Sequence, residues 1–198
     1  MAKNPRSSVE GNERLTALLA IVLLLTLFVV GLTVPLAQSN TRLHILLGTL
    51  VIPPVLYKVG STSWRMVRYY TGDPEYVKKG PPFIILRLFG PVLVVLTVVL
   101  LFSGVGLVVW APKSMYQQLW FLHRASFVLW FFTMAIHVLA HLKETIQYGP
   151  RDLMSRTRRQ VAGASSRVWV TLSSLVLGVV AAMLIAPYAH NGGYFFGH

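Results

Sequence analysis

An all-α integral membrane bundle of five transmembrane helices is the fold class that the sequence predicts, and three observations predict it. The 198 residues are 55% hydrophobic and only 12% charged, with a mean hydropathy of +0.61. That is too apolar for a chain that must present a charged surface to water. The apolar residues fall into five runs, at about residues 15–37, 43–64, 88–110, 117–142 and 168–189. Each is close to the ~20 residues that cross a ~30 Å hydrocarbon core. The net charge of +12 lies mostly between the runs. If the chain crosses at every run, 15 of the 18 Lys and Arg fall on one side, and Arg42, Lys113 and Arg124 on the other. This asymmetry predicts an N-terminus inside and a C-terminus outside. It fits positive-inside topology better than a nucleic-acid surface, so no nucleic-acid partner is expected.

Residues 1–14 are polar and are expected to be a disordered cytoplasmic segment. The first run is too long for a signal-peptide core and has no small-residue cleavage site, so it is expected to remain as a span. Ser39 or Asn40 can cap the second run. That run carries Pro53 and Pro54, which predict a kink, and Lys58, expected to snorkel toward the interface. Residues 65–82 are polar and read as a connection, with Tyr69 and Tyr70 as interfacial anchors. Residues 83–87 read as an interfacial lead-in to the third run, which has Pro91 in its first turn. Residues 111–114 are a tight turn into the fourth run. A second basic loop holds Arg156, Arg158 and Arg159, read with Arg65 and Arg68 as topology signals and anionic-lipid contacts. Residues 15–189 form the bundle and 190–198 an external tail. No internal repeat is evident.

The histidines carry the candidate chemistry. His123 and His137 are fourteen positions apart in the fourth run, just under four turns, so both leave one helix face with a rise of roughly 21 Å. His44, in the second run, is predicted at the same outer depth as His123. Two imidazoles at one depth on two spans are the minimum for ligating one haem iron from opposite faces. Gly48, one turn after His44, leaves room for a flat macrocycle. Arg42 and Arg124 flank the two histidines, where guanidinium groups can pair with haem propionates. The bland alternative is a pair of interfacial histidines bonded to loop carbonyls. With no cysteine in the chain, thiolate iron–sulfur sites, disulfides and covalent haem attachment are excluded.

At the inner depth the donor is His137, with His141 one turn on. The two share one helix side and cannot clamp a haem between them. The residue fourteen after His44 is Lys58, not histidine. Several readings stay open: Lys58 or Met134 as an unusual second ligand to His137, a histidine from another subunit, or no second haem, with His137 and His141 forming a quinone or proton site. A zinc or copper site at His137 and His141 would lack a third ligand within the membrane.

On His44 in the second run, on His123 and His137 in the fourth, and on the hydropathy pattern, residues 15–142 resemble the membrane cytochrome b superfamily. This includes bacterial cytochrome b561 and the cytochrome b subunits of formate dehydrogenase and nickel–iron hydrogenase. Residues 44–141, with Tyr69-Tyr-Thr-Gly-Asp-Pro-Glu-Tyr76, also resemble a group of actinobacterial membrane proteins. The resemblance implies one b-type haem on His44 and His123. A second would need a first-span histidine that this chain lacks. It also implies electron relay between a redox partner and the quinone pool of a bacterial inner membrane, as a subunit of an oxidoreductase rather than a stand-alone catalyst. The expected partners are membrane lipid, a redox partner subunit and a second copy of the chain. The rival readings are a cofactor-free scaffold or assembly subunit and a metal-handling transporter.

Overall fold

In hydrocarbon a backbone amide finds no water, so an apolar run must satisfy its polar groups within its own helix. The chain takes that solution. The computed structural model describes residues 8–36, 40–80, 84–110, 114–153 and 162–189. Among the described residues there is no strand. In order the helices are α1 (Ser8–Thr33), α2 (Thr41–Leu50), α3 (Ile52–Tyr70), α4 (Pro74–Lys79), α5 (Ile84–Val109), α6 (Tyr116–Leu153) and α7 (Ala164–Ile185). Five stretches are long and apolar enough to cross a membrane: Val9–Thr33, Thr41–Tyr70, Arg87–Val109, Tyr116–Tyr148 and Ala164–Ile185. The all-helical expectation therefore stands among the described residues, with five stretches long and apolar enough to cross a membrane. The readings placed on residues 1–7, 37–39, 81–83, 111–113, 154–161 and 190–198, including the Arg156, Arg158 and Arg159 cluster and the external tail, lie outside the described residues.

Several boundaries differ from the sequence expectation, each for a tertiary reason. Residues 8–14 are not disordered but form the first two turns of α1. Arg14, only 5% exposed, binds Glu10 at 2.7 Å and Asp152 at 3.3 Å. Asn12 donates to the Ser61 carbonyl of α3 at 3.0 Å. These partners draw polar residues into the bundle, and local composition cannot reveal them.

The second span is one rod in two pieces, α2 and α3, joined at Val51, which keeps helical torsions (φ −73°, ψ −21°). Pro53 and Pro54 sit in the first turn of α3, where a missing N–H leaves no bond unmade. Asn40 caps α2 as expected, accepting from the Leu43 amide at 3.1 Å. Helix α3 continues to Tyr70, past the predicted end at residue 64. In the segment read as a connection, Asp73 accepts from the amides of Glu75 and Tyr76 and starts the short α4. An Asp-Pro pair is an N-cap followed by an N1 proline, so the signal for α4 was present. Helix α6 runs to Leu153, eleven residues beyond the expected 142.

Helices α5 and α6 form the most extensively packed pair. Helix α1 packs on α6 and α3, and the α2–α3 rod packs on α7 and α1. Between α5 and α6 the buried Trp130 Nε1 donates to Thr97 Oγ1 at 2.9 Å. At one end of the bundle the charges interlock. Asp152, fully buried, accepts from Arg14 of α1 at 3.3 Å and Arg167 of α7 at 2.5 Å. Glu13 pairs with Lys79, and with Arg65 at 3.7 Å. Arg68 pairs with Asp73 and lies 5.5 Å from the Trp64 ring. Tyr70 accepts from Arg87 at 2.7 Å.

Helix α7 meets α2 at Gly178. A Cβ built there would collide with the Leu50 carbonyl oxygen, and backbone cannot swing aside as a flexible side chain can. Gly178→Ala is expected to force α7 away from α2 at a cost of about 1–3 kcal/mol. Thermal unfolding in detergent micelles checks this, and an unchanged midpoint would refute it.

Candidate functional site

The first turn of α2 places His44 against the end of α1. Its Nδ1 is 2.8 Å from Thr33 Oγ1. Thr33 spends its only hydroxyl proton on the Val30 carbonyl, 2.5 Å away on its own helix. The hydroxyl can therefore only accept from the ring. That assigns the proton to His44 Nδ1 and the lone pair to Nε2.

His123 reaches the same state by another route. It sits in the third turn of α6, and its Nδ1 lies 3.1 Å from the Leu100 carbonyl and 3.3 Å from Ser103 Oγ, both on α5. A carbonyl only accepts, so Nδ1 again carries the proton and Nε2 the lone pair. The ring fits because residue 104 is glycine: a Cβ there would stand 2.9 Å from His123 Cε1. Ser103 is fully buried, and its hydroxyl turns back to the Val99 carbonyl at 2.7 Å.

His44 and His123 come from different spans, on α2 and α6. Both are half-buried. Beside His44, a Cβ added at Gly48 would meet nothing within 4 Å, so there is open space on that face. Ser126, one turn after His123, is buried and donates to the His123 carbonyl at 3.1 Å. Arg42 and Arg124 are exposed at the same end as the two histidines, and Arg124 lies 5.8 Å from the Trp120 ring centre.

Further along α6 a second polar group forms. The His137 and His141 rings are 4.8 Å apart, and His141 Nδ1 is 3.1 Å from Glu144 Oε2. Lys58 lies on α3, which packs on α1. It does not snorkel as expected: its Nζ turns into the bundle and donates to the Thr16 carbonyl of α1 at 2.7 Å. Burial against α1 offers it an acceptor closer than the interface. Helix α2, which carries His44, packs on α5, which anchors the His123 ring, while the His137 ring lies against His141 and His141 against Glu144. Among the described residues, no three His, Cys, Asp or Glu side chains gather to hold a metal ion.

Sequence reasoning missed Thr33, Ser103 and the Leu100 carbonyl. The available signal was an isolated hydroxyl inside an apolar run, which has to find a partner when buried. Comparison of the chain with protein-family models, curated proteins and solved structures gives no match.

Proposed function

We propose that the protein is a membrane electron carrier of the cytochrome b type, holding one b-type haem between His44 and His123. The observation that carries this reading is the pair of imidazoles on separate spans, with the α2 of His44 packed on the α5 that holds His123. Each is tethered at Nδ1 and directs its lone pair to Nε2, the state a metal-bound histidine adopts. The open space at Gly48, one turn after His44, leaves room for a flat group beside that ring. Bound there, the haem iron supplies one-electron redox chemistry.

The chain's own part is to ligate, orient and exclude water. Thr33, Ser103 and Leu100 fix the ligand rings. The long apolar helices keep the site dry, and Arg42 and Arg124 stand where propionates would emerge. With the charged end of the bundle facing the cytoplasm, as the distribution of Lys and Arg favours, this haem lies toward the outer face of a bacterial inner membrane. It would there meet a redox partner, while the inner group of Lys58, His137, His141 and Glu144 is a candidate quinone or proton site.

The test is the absorption spectrum, oxidised and reduced, of protein purified from a haem-sufficient host, with the haem-to-protein ratio. The expected outcome is a reducible low-spin b-type spectrum at about one haem per chain. A ratio near two would mean that a further ligand completes a second site opposite His137. A colourless protein would overturn the reading in favour of a cofactor-free scaffold.

A further inference from the structure

Resting on the haem reading, we propose that Thr33 is a positioning residue that sets the reduction potential of the site through His44. Thr33 Oγ1 lies between His44 Nδ1 at 2.8 Å and the Val30 carbonyl at 2.5 Å, forming a relay from ring N–H to hydroxyl to carbonyl. Thr33 is 4% exposed, so water has little access to take the place of the hydroxyl. On the other side, His123 has two acceptors, the Leu100 carbonyl at 3.1 Å and Ser103 Oγ at 3.3 Å.

The two ligands are therefore held unequally. His123 is anchored to backbone, which no side-chain substitution removes. The Nδ1–H of His44 is anchored to one hydroxyl. An acceptor at Nδ1–H increases electron density at Nε2, which favours iron(III) over iron(II) and lowers the potential. It also locks the tautomer that leaves the Nε2 lone pair available. The α1–α2 connection is thereby tied to the redox site: displacing the end of α1 would weaken the hydrogen bond and raise the potential.

The experiment compares variants loaded with haem by potentiometric titration and by the low-temperature EPR signal of the ferric state. Thr33→Val keeps shape and removes the hydroxyl. It is expected to retain haem while changing the ratio of iron(III) to iron(II) affinity about tenfold, the low end for loss of an outer-shell partner. For one electron that is a potential higher by about 59 mV. Thr33→Ser restores the hydroxyl and should match the wild type. Ser103→Ala should shift less than Thr33→Val, because the Leu100 carbonyl remains. Thr26→Val is the control, since among the described residues Thr26 bonds the Val22 and Leu23 carbonyls of its own helix; it should not shift the potential. If Thr33→Val does not accumulate, Thr33→Ala serves, with the same expected direction.

A hydroxyl-free variant with wild-type potential and EPR signal would overturn the proposal, as would Thr26→Val shifting the potential equally. Failure of the haem reading is a separate result: the wild type itself would then carry no haem, or would keep it in His44→Ala.

Discussion

His123→Ala and His44→Ala are each expected to remove the haem signal while leaving a folded protein. Outer-shell partners of a bound metal are worth 10–100-fold in affinity, and a direct ligand is worth more. The purified variants should therefore fall from about one haem per chain to roughly a few per cent. Folding should survive, because neither ring holds helices together by itself. Removing the His123 ring deletes one cross-helix hydrogen bond, worth about 1 kcal/mol, while the α5–α6 contact at Trp130 and Thr97 remains. His141→Ala is the contrasting case. Its ring meets Glu144 and His137 and lies about 18 residues beyond His123, so the outer spectrum should not change. Haem content and circular dichroism measured on the same samples separate ligand loss from unfolding. A His44→Ala protein with full haem content and an unchanged spectrum would remove His44 from the ligand set.

The five apolar stretches were legible because hydropathy alone marks long helices whose side chains mostly face out of the bundle. A common predicted depth for His44 and His123 was legible, because both lie near the start of runs expected to enter from the same side. Facing was not. Whether two rings turn toward one another depends on how α2, α5 and α6 are rotated, and contacts such as Gly104 against His123 set that rotation. The polar ends were misread for a related reason. Glu10, Asn12 and Arg14 look like a solvated tail until Asp152 and Ser61, more than forty residues away, supply their partners. Lys58 misleads in the same manner, since a lysine near a span end ordinarily reaches for water, yet here the Thr16 carbonyl is its acceptor. The short α4, by contrast, was fully written in Asp73-Pro74. It was overlooked because a charged stretch between spans reads as loop.

The charged end of the bundle is where the largest loss of stability is expected. Asp152 is fully buried and binds Arg14 and Arg167, whose side chains are 6% and 11% exposed. It thus joins α6 to both α1 and α7, whose ends would otherwise face each other with two cations. Asp152→Ala leaves those guanidinium groups buried and under-compensated. Arg14 keeps Glu10, but among the described residues Arg167 keeps the Ala162 carbonyl at 3.2 Å, and its Nη2 has no acceptor there. Breaking a buried pair in this way costs about 3–5 kcal/mol. Asp152→Asn preserves shape and an acceptor oxygen, so it should lose less, about 1–3 kcal/mol. Glu13→Gln provides the comparison. Its partners Arg65 and Lys79 are 33% and 39% exposed, solvent screens them, and the cost should be about 0–1 kcal/mol. Unfolding in mixed micelles ranks the three variants, and the predicted order is Asp152→Ala, then Asp152→Asn, then Glu13→Gln. An Asp152→Ala protein as stable as Glu13→Gln would mean that the arginines find water or lipid phosphate instead, and that the carboxylate does not bind α1 to α7.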